Sequence, residues 1–556
     1  MSGRPFALWP PLTLALLIGP VAAGLAGTVL PAAGYLPAIG LERIGLAAFV
    51  DLAAVPGLAR SAGLAVTVAL GSTLVSFLLA TAFVAATTAT PGAAWLRRLI
   101  TPLMAAPHVA VAVGLAFVMA PSGLVWRALS PWLTGAEFPP LWPVPNDPWG
   151  VALVAGLVVK ETPFLVLMLL AQQAGRPVAR ELAAARALGR GALASWYLAV
   201  LPQLYPGLRL PLFAVLAYGF SPVDMALVLG PSAPPILAVR VVDLLGDPDL
   251  AAWPTGAAAA LLLLALALAT MALWRAAEWA VGRLGGLAVG AGAARRPRVW
   301  ATTAALALPA VLGGLGLAAL ASMTLWSVAG SWRFPRLWPS ELTLARWAEA
   351  PVLLGEAAVV TLGLGVAVAL VALVLTVLCL EAETHRRRRL GPRVQLWLFL
   401  PLVLPQAAFL FGVQVLLAGL RLDGTLLAVG LVQLAFVLPY AFLTLAGPFR
   451  ALDPRWALVA RSFGRRPGVV LWRVKLPLLA AAAATAFAVG FAVSAALYLP
   501  TLFAGAGAVR TLALEAVSLA GADRRTAGVA VTLLALLPLV AFGLAARVRR
   551  RVERRG

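Results

Sequence analysis

The sequence predicts an all-α, polytopic membrane protein with about twelve transmembrane helices in two parallel repeats of six. Three observations predict this class: an apolar composition, a series of long apolar runs and basic residues concentrated in alternate loops. Of the 556 residues, 62% are hydrophobic and only 12% are charged, and the mean hydropathy is +0.96. A soluble chain of this length would need a more polar surface.

Twelve apolar runs are each long enough to cross a bilayer, which takes about 20 apolar residues. The first run is longer than the apolar core of a signal peptide, so we interpret it as a retained span. The predicted spans are 8–30, 62–87, 99–121, 149–171, 208–231, 254–274, 300–325, 352–380, 394–420, 424–447, 478–500 and 526–546.

The basic residues predict the orientation of the chain. With the N-terminus inside, most of the 43 Lys and Arg residues fall in loops on one side, including the run Arg386–Arg389. Such loops are typically cytoplasmic. The pattern therefore predicts a multi-pass protein of the bacterial inner membrane with both termini in the cytoplasm. The net charge of +22 is then explained by topology, and no nucleic-acid partner is expected.

The chain repeats itself. Pro163 and Pro439 fall in the fourth and tenth spans, and Gly189 and Gly464 follow 275 residues apart. Because each half has an even number of spans, the repeats are predicted to be parallel. The predicted division is a first half at 1–282, a Gly- and Arg-rich cytoplasmic linker at 283–299 and a second half at 300–556.

Two polar segments, 179–202 and 453–477, occupy matching places between the fourth and fifth spans of each half. Each predicts a short helix, a turn at a glycine and a second short helix that ends at Leu-Pro. In the first copy Leu182, Ala185 and Leu188 would share one apolar side. An ordinary basic interfacial loop is the alternative, but two copies in matching positions favour a docking element.

The spacing in these segments resembles the EAA loop of type I ABC importer permeases, which reads EAA, three residues, Gly, nine residues, Ile or Val, any residue, Leu-Pro. The family's leading Glu is replaced by Ala183 in one copy and Leu458 in the other, so docking is predicted to depend on shape. The coupling residues that the resemblance implies are Ala184, Ala185, Arg186, Gly189, Leu201 and Pro202 in the first copy, and Ala460, Arg461, Gly464, Leu476 and Pro477 in the second.

The resemblance covers nearly the whole chain. The chain is similar to the fused permeases of ferric-iron and thiamine importers. The resemblance implies a permease subunit that forms the solute pathway and docks two ABC ATPase subunits through these loops. It also implies a periplasmic or lipid-anchored substrate-binding protein, with ATP and Mg bound in the partner ATPase. Ferric iron, thiamine, a polyamine or another small solute all remain open as substrate.

The chain itself is predicted to be neither an enzyme nor a cofactor protein. A phosphate loop needs a lysine after a glycine, and neither Lys160 nor Lys475 follows one. The single Cys379 and two histidines leave no intrachain disulfide and no Cys/His metal site. ATP hydrolysis is therefore expected in a separate chain.

Asp224, Lys160 and Glu161 are the candidates for a translocation pathway, because charged groups inside spans are costly and usually face a cavity or the bundle interior. For Lys160 and Glu161 the favoured alternative is a local ion pair. For Asp224 a pathway role and an internal bundle contact remain equally open. His108 is more readily interpreted as a hydrogen-bonded residue inside the bundle than as a pathway residue.

A twelve-span secondary transporter without an ATPase is the alternative function. It explains the span count and the duplication, since such transporters also have parallel repeats. It does not explain two loops with EAA spacing.

Overall fold

Helix dominates the backbone, as expected for a chain whose peptide groups must satisfy one another inside a bilayer. The structure is a computed structural model that describes residue 6 and residues 8–93, 95–174, 176–290, 299–386 and 397–554. Within those residues the only strands are Tyr35–Leu36 and Leu41–Glu42, which pair antiparallel. The predicted all-α, polytopic class is confirmed.

Ten helices, or helices joined in line, within the described ranges are long and apolar enough to cross a membrane. A further helix pair, Pro467–Leu478 and Ala480–Ala496, is long and apolar enough when taken together but is bent by 83°. The ten are Trp9–Ala32, Leu58–Ala89, His108–Leu129, Val151–Gln173, Ala192–Phe220, Leu250–Gly286, Trp300–Val328, Ala345–His385, Leu426–Ala451 and Arg524–Glu553.

The predicted count of twelve is not confirmed. Eleven of the predicted spans correspond to the ten helices and the bent pair, but the ninth, 394–420, does not form one long helix. It consists of Leu400–Val403 and Ala407–Gly419, and its start at 394–396 lies outside the described residues. The 13 residues of Ala407–Gly419 are fewer than a full crossing needs.

Proline explains this break and a matching one in the first half. Pro107 lies in the third predicted span and Pro405 in the ninth, and the helix is interrupted just before each of them. Proline lacks a backbone N–H and pushes the preceding residue out of the α conformation. Accordingly Ala106 has an extended ψ of 131° between the helices Leu96–Ala105 and His108–Met119.

The residues pack as two units, and each is described by itself. Unit N comprises Leu30–Thr343 and Val403–Ala408. Besides the helices already named, it contains Ala47–Ala54, Leu124–Leu129, Val178–Ala187, Ala192–Ser195, Leu201–Phe220, Val223–Leu229, Leu237–Leu245, Trp253–Gly290 and Val299–Val328, the π-helix Trp196–Val200 and the 3-10 helices Pro37–Ile39, Pro91–Ala93 and Leu250–Ala252.

Unit C comprises Met1–Val29, Leu344–Leu402 and Phe409–Gly556. Its core includes Leu17, Leu378, Leu438 and Leu471, all buried. Its helices are most of Trp9–Ala32 and Ala407–Gly419, together with Ala345–Arg386, Leu426–Ala451, Pro454–Ser462, Pro467–Val470, Leu476–Leu478, Ala480–Ala496, Leu499–Gly505, Leu512–Ala520 and Arg524–Glu553, and the π-helix Leu471–Lys475.

Each unit contains the first span of the other sequence half. In unit C, a Cβ on Gly412 would collide with the Gly24 carbonyl of the helix Trp9–Ala32. In unit N, a Cβ on Gly114 would lie 2.5 Å from the Ala319 carbonyl of the helix Val299–Val328. Small residues at these points let the backbones approach closely. The predicted boundaries of the duplication stay a prediction, and 291–298 of the linker lie outside the described residues.

Candidate functional site

The first EAA-like segment has the predicted helix, turn and second helix. The helix Val178–Ala187 is followed by Leu188 and then by Gly189, which has a φ of +77°. The short helix Ala192–Ser195 leads into the π-helix Trp196–Val200, and the long helix Leu201–Phe220 begins there with Pro202 in its first turn.

The second segment repeats this geometry step by step. Pro454–Ser462 ends at Phe463, and Gly464 has a φ of +70°. Pro467–Val470 leads into the π-helix Leu471–Lys475, after which Leu476 and Pro477 begin the next helix. Residues 275 positions apart therefore take the same local conformation. We call the two segments, 179–202 and 453–477, loop 1 and loop 2.

The glycine is required in each turn for its backbone and not for space. A Cβ on Gly189 or Gly464 would meet no atom within 4 Å. Their positive φ values lie in the left-handed region, which glycine occupies without the clash that a Cβ makes with the backbone. Both turns thus end a helix as a left-handed glycine commonly does.

The Leu-Pro pair coincides with a wider helical turn in both loops. The Leu201 N–H bonds to the Trp196 carbonyl and the Leu476 N–H to the Leu471 carbonyl, each five residues back. Pro202 and Pro477 have no N–H to give, and a proline ring clashes with the carbonyl four residues earlier. In the wider turn the hydrogen bonds run five residues back, which accommodates the proline within the helix. Such single π turns are frequent at functional sites.

Apolar packing anchors loop 1. Val178 and Leu182 are buried in a cluster that also contains Trp196, Val200 and Phe83. Arg176 forms an ion pair of 3.5 Å with Glu181. The predicted apolar side is only partly correct, because Leu182 is buried and Ala185 half-buried, whereas Leu188 is 75% exposed. The helix ends at Ala187, so Leu188 no longer follows its face.

Both loops present apolar side chains outward beside arginines. Loop 1 exposes Leu188 and Ala184 with Arg186. Loop 2 exposes a larger apolar group, Trp456, Leu458, Val459 and Phe463, with Phe463 78% exposed, beside Arg461. Contiguous exposed apolar side chains rimmed by charge are typical of protein docking surfaces.

Lys160 and Glu161 do not form the predicted local pair. The Lys160 ammonium donates to the carbonyls of Leu103, Met104 and Ala106 at 2.8, 3.4 and 2.6 Å. These carbonyls lie at the end of the helix Leu96–Ala105, where the break at Pro107 leaves them without helical partners. A cation there also complements the helix dipole. Lys160 therefore caps a helix end inside unit N.

Glu161 belongs instead to a polar chain that links four helices. His108 Nε2 donates to Glu161 Oε1 at 3.0 Å. The His108 ring lies 4.5 Å from the Tyr218 ring, centroid to centroid, and the Tyr218 hydroxyl donates to Asp224 Oδ1 at 2.9 Å. The structure thus brings Glu161 and Asp224 into one cluster, and His108 makes the hydrogen bond expected inside the bundle.

Tyr218 was missed by the sequence analysis. Its position six residues before Asp224, across the break at Ser221 and Pro222, is the signal that could have found it. The breaking residues separate the helices Leu201–Phe220 and Val223–Leu229, so that a tyrosine near the end of one helix reaches an aspartate at the start of the next.

The second half contains a neutral polar cluster. Gln433 Nε2 donates to Thr501 Oγ1 at 2.9 Å, and the Ser494 hydroxyl donates to Gln433 Oε1 at 2.5 Å. All three side chains are buried. No group of three or more His, Cys, Asp or Glu side chains suited to a metal ion occurs in the described part of the chain.

Helices of this length and apolar composition place the chain in the class of all-α, polytopic membrane proteins. No protein-family model matches the chain. It is 31% identical over 468 residues to the inner membrane ABC transporter permease protein YnjC of Escherichia coli K12. The match covers 82% of this chain and 82% of YnjC. The chain therefore belongs to the ABC transporter permease family.

Shorter matches lie in the same functional group. The molybdenum transport system permease proteins ModB of Mycobacterium bovis and Mycobacterium tuberculosis are each 36% identical over 173 residues. That match covers 29% of this chain and 65% of each ModB.

Proposed function

We propose that this chain is the permease subunit of an ATP-driven importer in the bacterial inner membrane, with loops 1 and 2 as its docking elements for two separate ABC ATPase subunits. The recurrence of one loop geometry carries the proposal: a left-handed glycine, a π turn and Leu-Pro, repeated 275 residues apart in a family of ABC permeases. Two matching loops suit a motor of two ATPase subunits.

The loops lie on the cytoplasmic side in this proposal, as do both termini. ATP and Mg bind in the ATPases, and their movement is passed through the loops to the spans. A periplasmic or lipid-anchored binding protein delivers a small solute on the opposite side. Membership of the ABC permease family favours this function over a secondary transporter.

The substrate is a small solute that the partner binding protein selects. Ferric iron, thiamine and a polyamine stay candidates, and the partial similarity to molybdenum transport permeases adds molybdenum. Identifying the ligand that co-purifies with the binding protein, by mass spectrometry, separates these candidates.

The exposed aromatic residues of loop 2 are expected to supply much of the ATPase affinity. Truncation of a hot-spot residue, a class in which tryptophan is enriched, to alanine costs about 2 kcal/mol or more, which is a loss of about 30-fold in affinity. We therefore expect Trp456→Ala with Phe463→Ala to weaken ATPase binding to the purified permease by at least that factor, measured by titration in detergent. Leu141→Ala, at a fully exposed position outside both loops, is the control; equal affinities of the two variants would refute the docking role of loop 2.

Asp224 is proposed to contribute its negative charge to the solute pathway, together with Glu161. Asp224→Asn keeps a hydrogen-bonding group beside Tyr218 but removes the charge, whereas Tyr218→Phe removes the hydrogen bond and keeps the charge. We expect the first variant to lose the stimulation of ATP hydrolysis by ligand-loaded binding protein, and the second to retain most of it. An unchanged stimulation in Asp224→Asn would make Asp224 structural.

A further inference from the structure

The two loops are held to their units in different ways. The first loop helix, Val178–Ala187, buries Val178 and Leu182, whereas the second, Pro454–Ser462, buries none of its residues. Apolar burial therefore fixes the first helix directly. Loop 2 buries Val470 and Leu471 further along the chain, but its first helix needs another anchor if its position is to be defined.

That anchor is a set of charged and polar contacts on one face of the helix Ala345–Arg386. Lys475 is the last residue of the π turn, and its ammonium lies 2.6 Å from Glu381 Oε2. The side chain of Lys475 is 5% exposed and that of Glu381 is 0% exposed. Arg461, near the end of the loop helix, donates through Nη2 to His385 Nε2 at 2.9 Å. Glu381 and His385 are four residues apart and so share a helix face.

The histidine contact has a defined direction. His385 Nδ1 lies 2.9 Å from the Glu381 carbonyl oxygen, so this nitrogen carries the proton and donates. In this tautomer the Nε2 lone pair accepts from the Arg461 guanidinium. Glu381 Oε1, the oxygen that Lys475 does not contact, lies 3.4 Å from His385 Nδ1 and accepts no hydrogen bond from the described residues. The Lys475–Glu381 and Arg461–His385 contacts therefore form a network of two neighbouring contacts on one helix face.

Among the residues that the structure describes, loop 1 has no counterpart to this network at the matching position. Val200 stands 275 residues before Lys475 and is fully buried, in an apolar cluster with Phe83, Val84 and Trp196. Apolar contacts are non-directional, whereas a buried ion pair is tolerated only with good geometry and strongly resists separation. The two loops thus differ in how firmly their register on the neighbouring span is set.

We propose that Glu381 and His385 are positioning residues that clamp loop 2 to the helix Ala345–Arg386, so that this loop and this span move together when the motor acts. The proposal rests on the ATPase docking proposed above. It makes the two halves inequivalent: loop 1 is coupled to its unit by apolar packing, whereas loop 2 also has a charged clamp, at Arg461 near the end of its first helix and at Lys475 near the end of the loop.

Pulsed electron spin resonance distances test the clamp. One spin label is placed at Arg455→Cys on the loop helix and one at Val374→Cys, 41% exposed on the same long helix, in a chain with Cys379→Ser. Distances are compared without nucleotide and after trapping with ATP and vanadate, in complexes that retain the ATPase. With the clamp intact we expect the same mean distance in both states.

Two variants remove the clamp without leaving a buried unpaired charge. Glu381→Leu with Lys475→Val copies the apolar character of loop 1, and His385→Leu removes the Arg461 contact at the half-buried end. In both we expect nucleotide trapping to shift or broaden the distance distribution. Glu383→Leu with Arg450→Met is the matched control. It removes a 3.0 Å ion pair between Glu383, on the same long helix as Glu381, and Arg450, which lies outside loop 2. This variant should behave like the parent.

The outcomes separate the two proposals. If both clamp variants bind the ATPase and keep the parent's nucleotide-independent distance, the clamp is overturned while the docking proposal stands. If the parent chain binds no ATPase at all, the docking proposal fails and the clamp fails with it. A purely stabilising role for Glu381 and His385 would lower the unfolding temperature without making the distance respond to nucleotide, and that result also overturns the clamp.

Discussion

Replacing Gly189 and Gly464 together with valine is expected to abolish stable binding of the ATPase while leaving the spans folded. Both glycines have a positive φ, where a residue with a Cβ costs about 1–2 kcal/mol and a β-branched one is a clear outlier. The cheaper response is for each turn to change conformation. The exposed side chains beside the turns, Leu188 in loop 1 and Phe463 in loop 2, would then lose the orientation that docking requires.

The matched control for this pair is Gly447→Val. Gly447 lies in the helix Leu426–Ala451 just before loop 2, without a positive φ, and a Cβ added there would meet no atom within 4 Å. This variant removes a glycine of the same region without the conformational penalty. ATPase retained on the tagged permease is measured after size-exclusion chromatography. Full retention by the double variant would show that the turns are not needed for docking.

Substitution of Lys160 by methionine is expected to lower the thermal stability of the permease markedly. Two effects oppose each other: the variant avoids burying a cation, but it leaves the carbonyls of Leu103 and Ala106 without their donor. An unsatisfied buried polar group costs about 1–3 kcal/mol. Here more than one carbonyl would lose its donor at once, in a region where lipid offers no replacement. We expect the loss of donors to dominate.

Glu161→Gln is the control for Lys160→Met, because the amide oxygen can still accept from His108 while the neighbouring charge is removed. Unfolding is followed by tryptophan fluorescence in detergent. We expect a clearly lower midpoint of unfolding for Lys160→Met than for Glu161→Gln. Equal midpoints would mean that Lys160 does not hold the helix break and would return it to the candidates for the solute pathway.

The loops could be predicted from the sequence because turn chemistry is local. A glycine after a short helix and a Leu-Pro at a fixed distance determine the left-handed turn and the start of the next helix, whatever surrounds them. The exposure of Leu188 could not be predicted from helical periodicity, because the periodicity ends where the helix does.

Contacts between distant segments were beyond the sequence. The local pairing predicted for Lys160 and Glu161 was wrong because adjacent residues on a helix do not face each other. Each found its partner on another helix, at Leu103 to Ala106 and at His108. The Glu381–Lys475 pair joins residues 94 positions apart, and no pattern of spacing indicates it. The ninth span failed as a single helix because hydropathy averages over the break at Pro405.

Site-specific photo-crosslinking tests the central claim most directly, that both loops contact a separate ATPase. A photoreactive amino acid replaces Leu188 in one variant and Phe463 in another, with the exposed Leu141 as the control position. We expect both loop positions to crosslink to a protein with a phosphate-loop sequence, identified by mass spectrometry, and position 141 to form no such crosslink. An intact transporter complex in which neither loop position crosslinks to an ATPase would contradict the central claim.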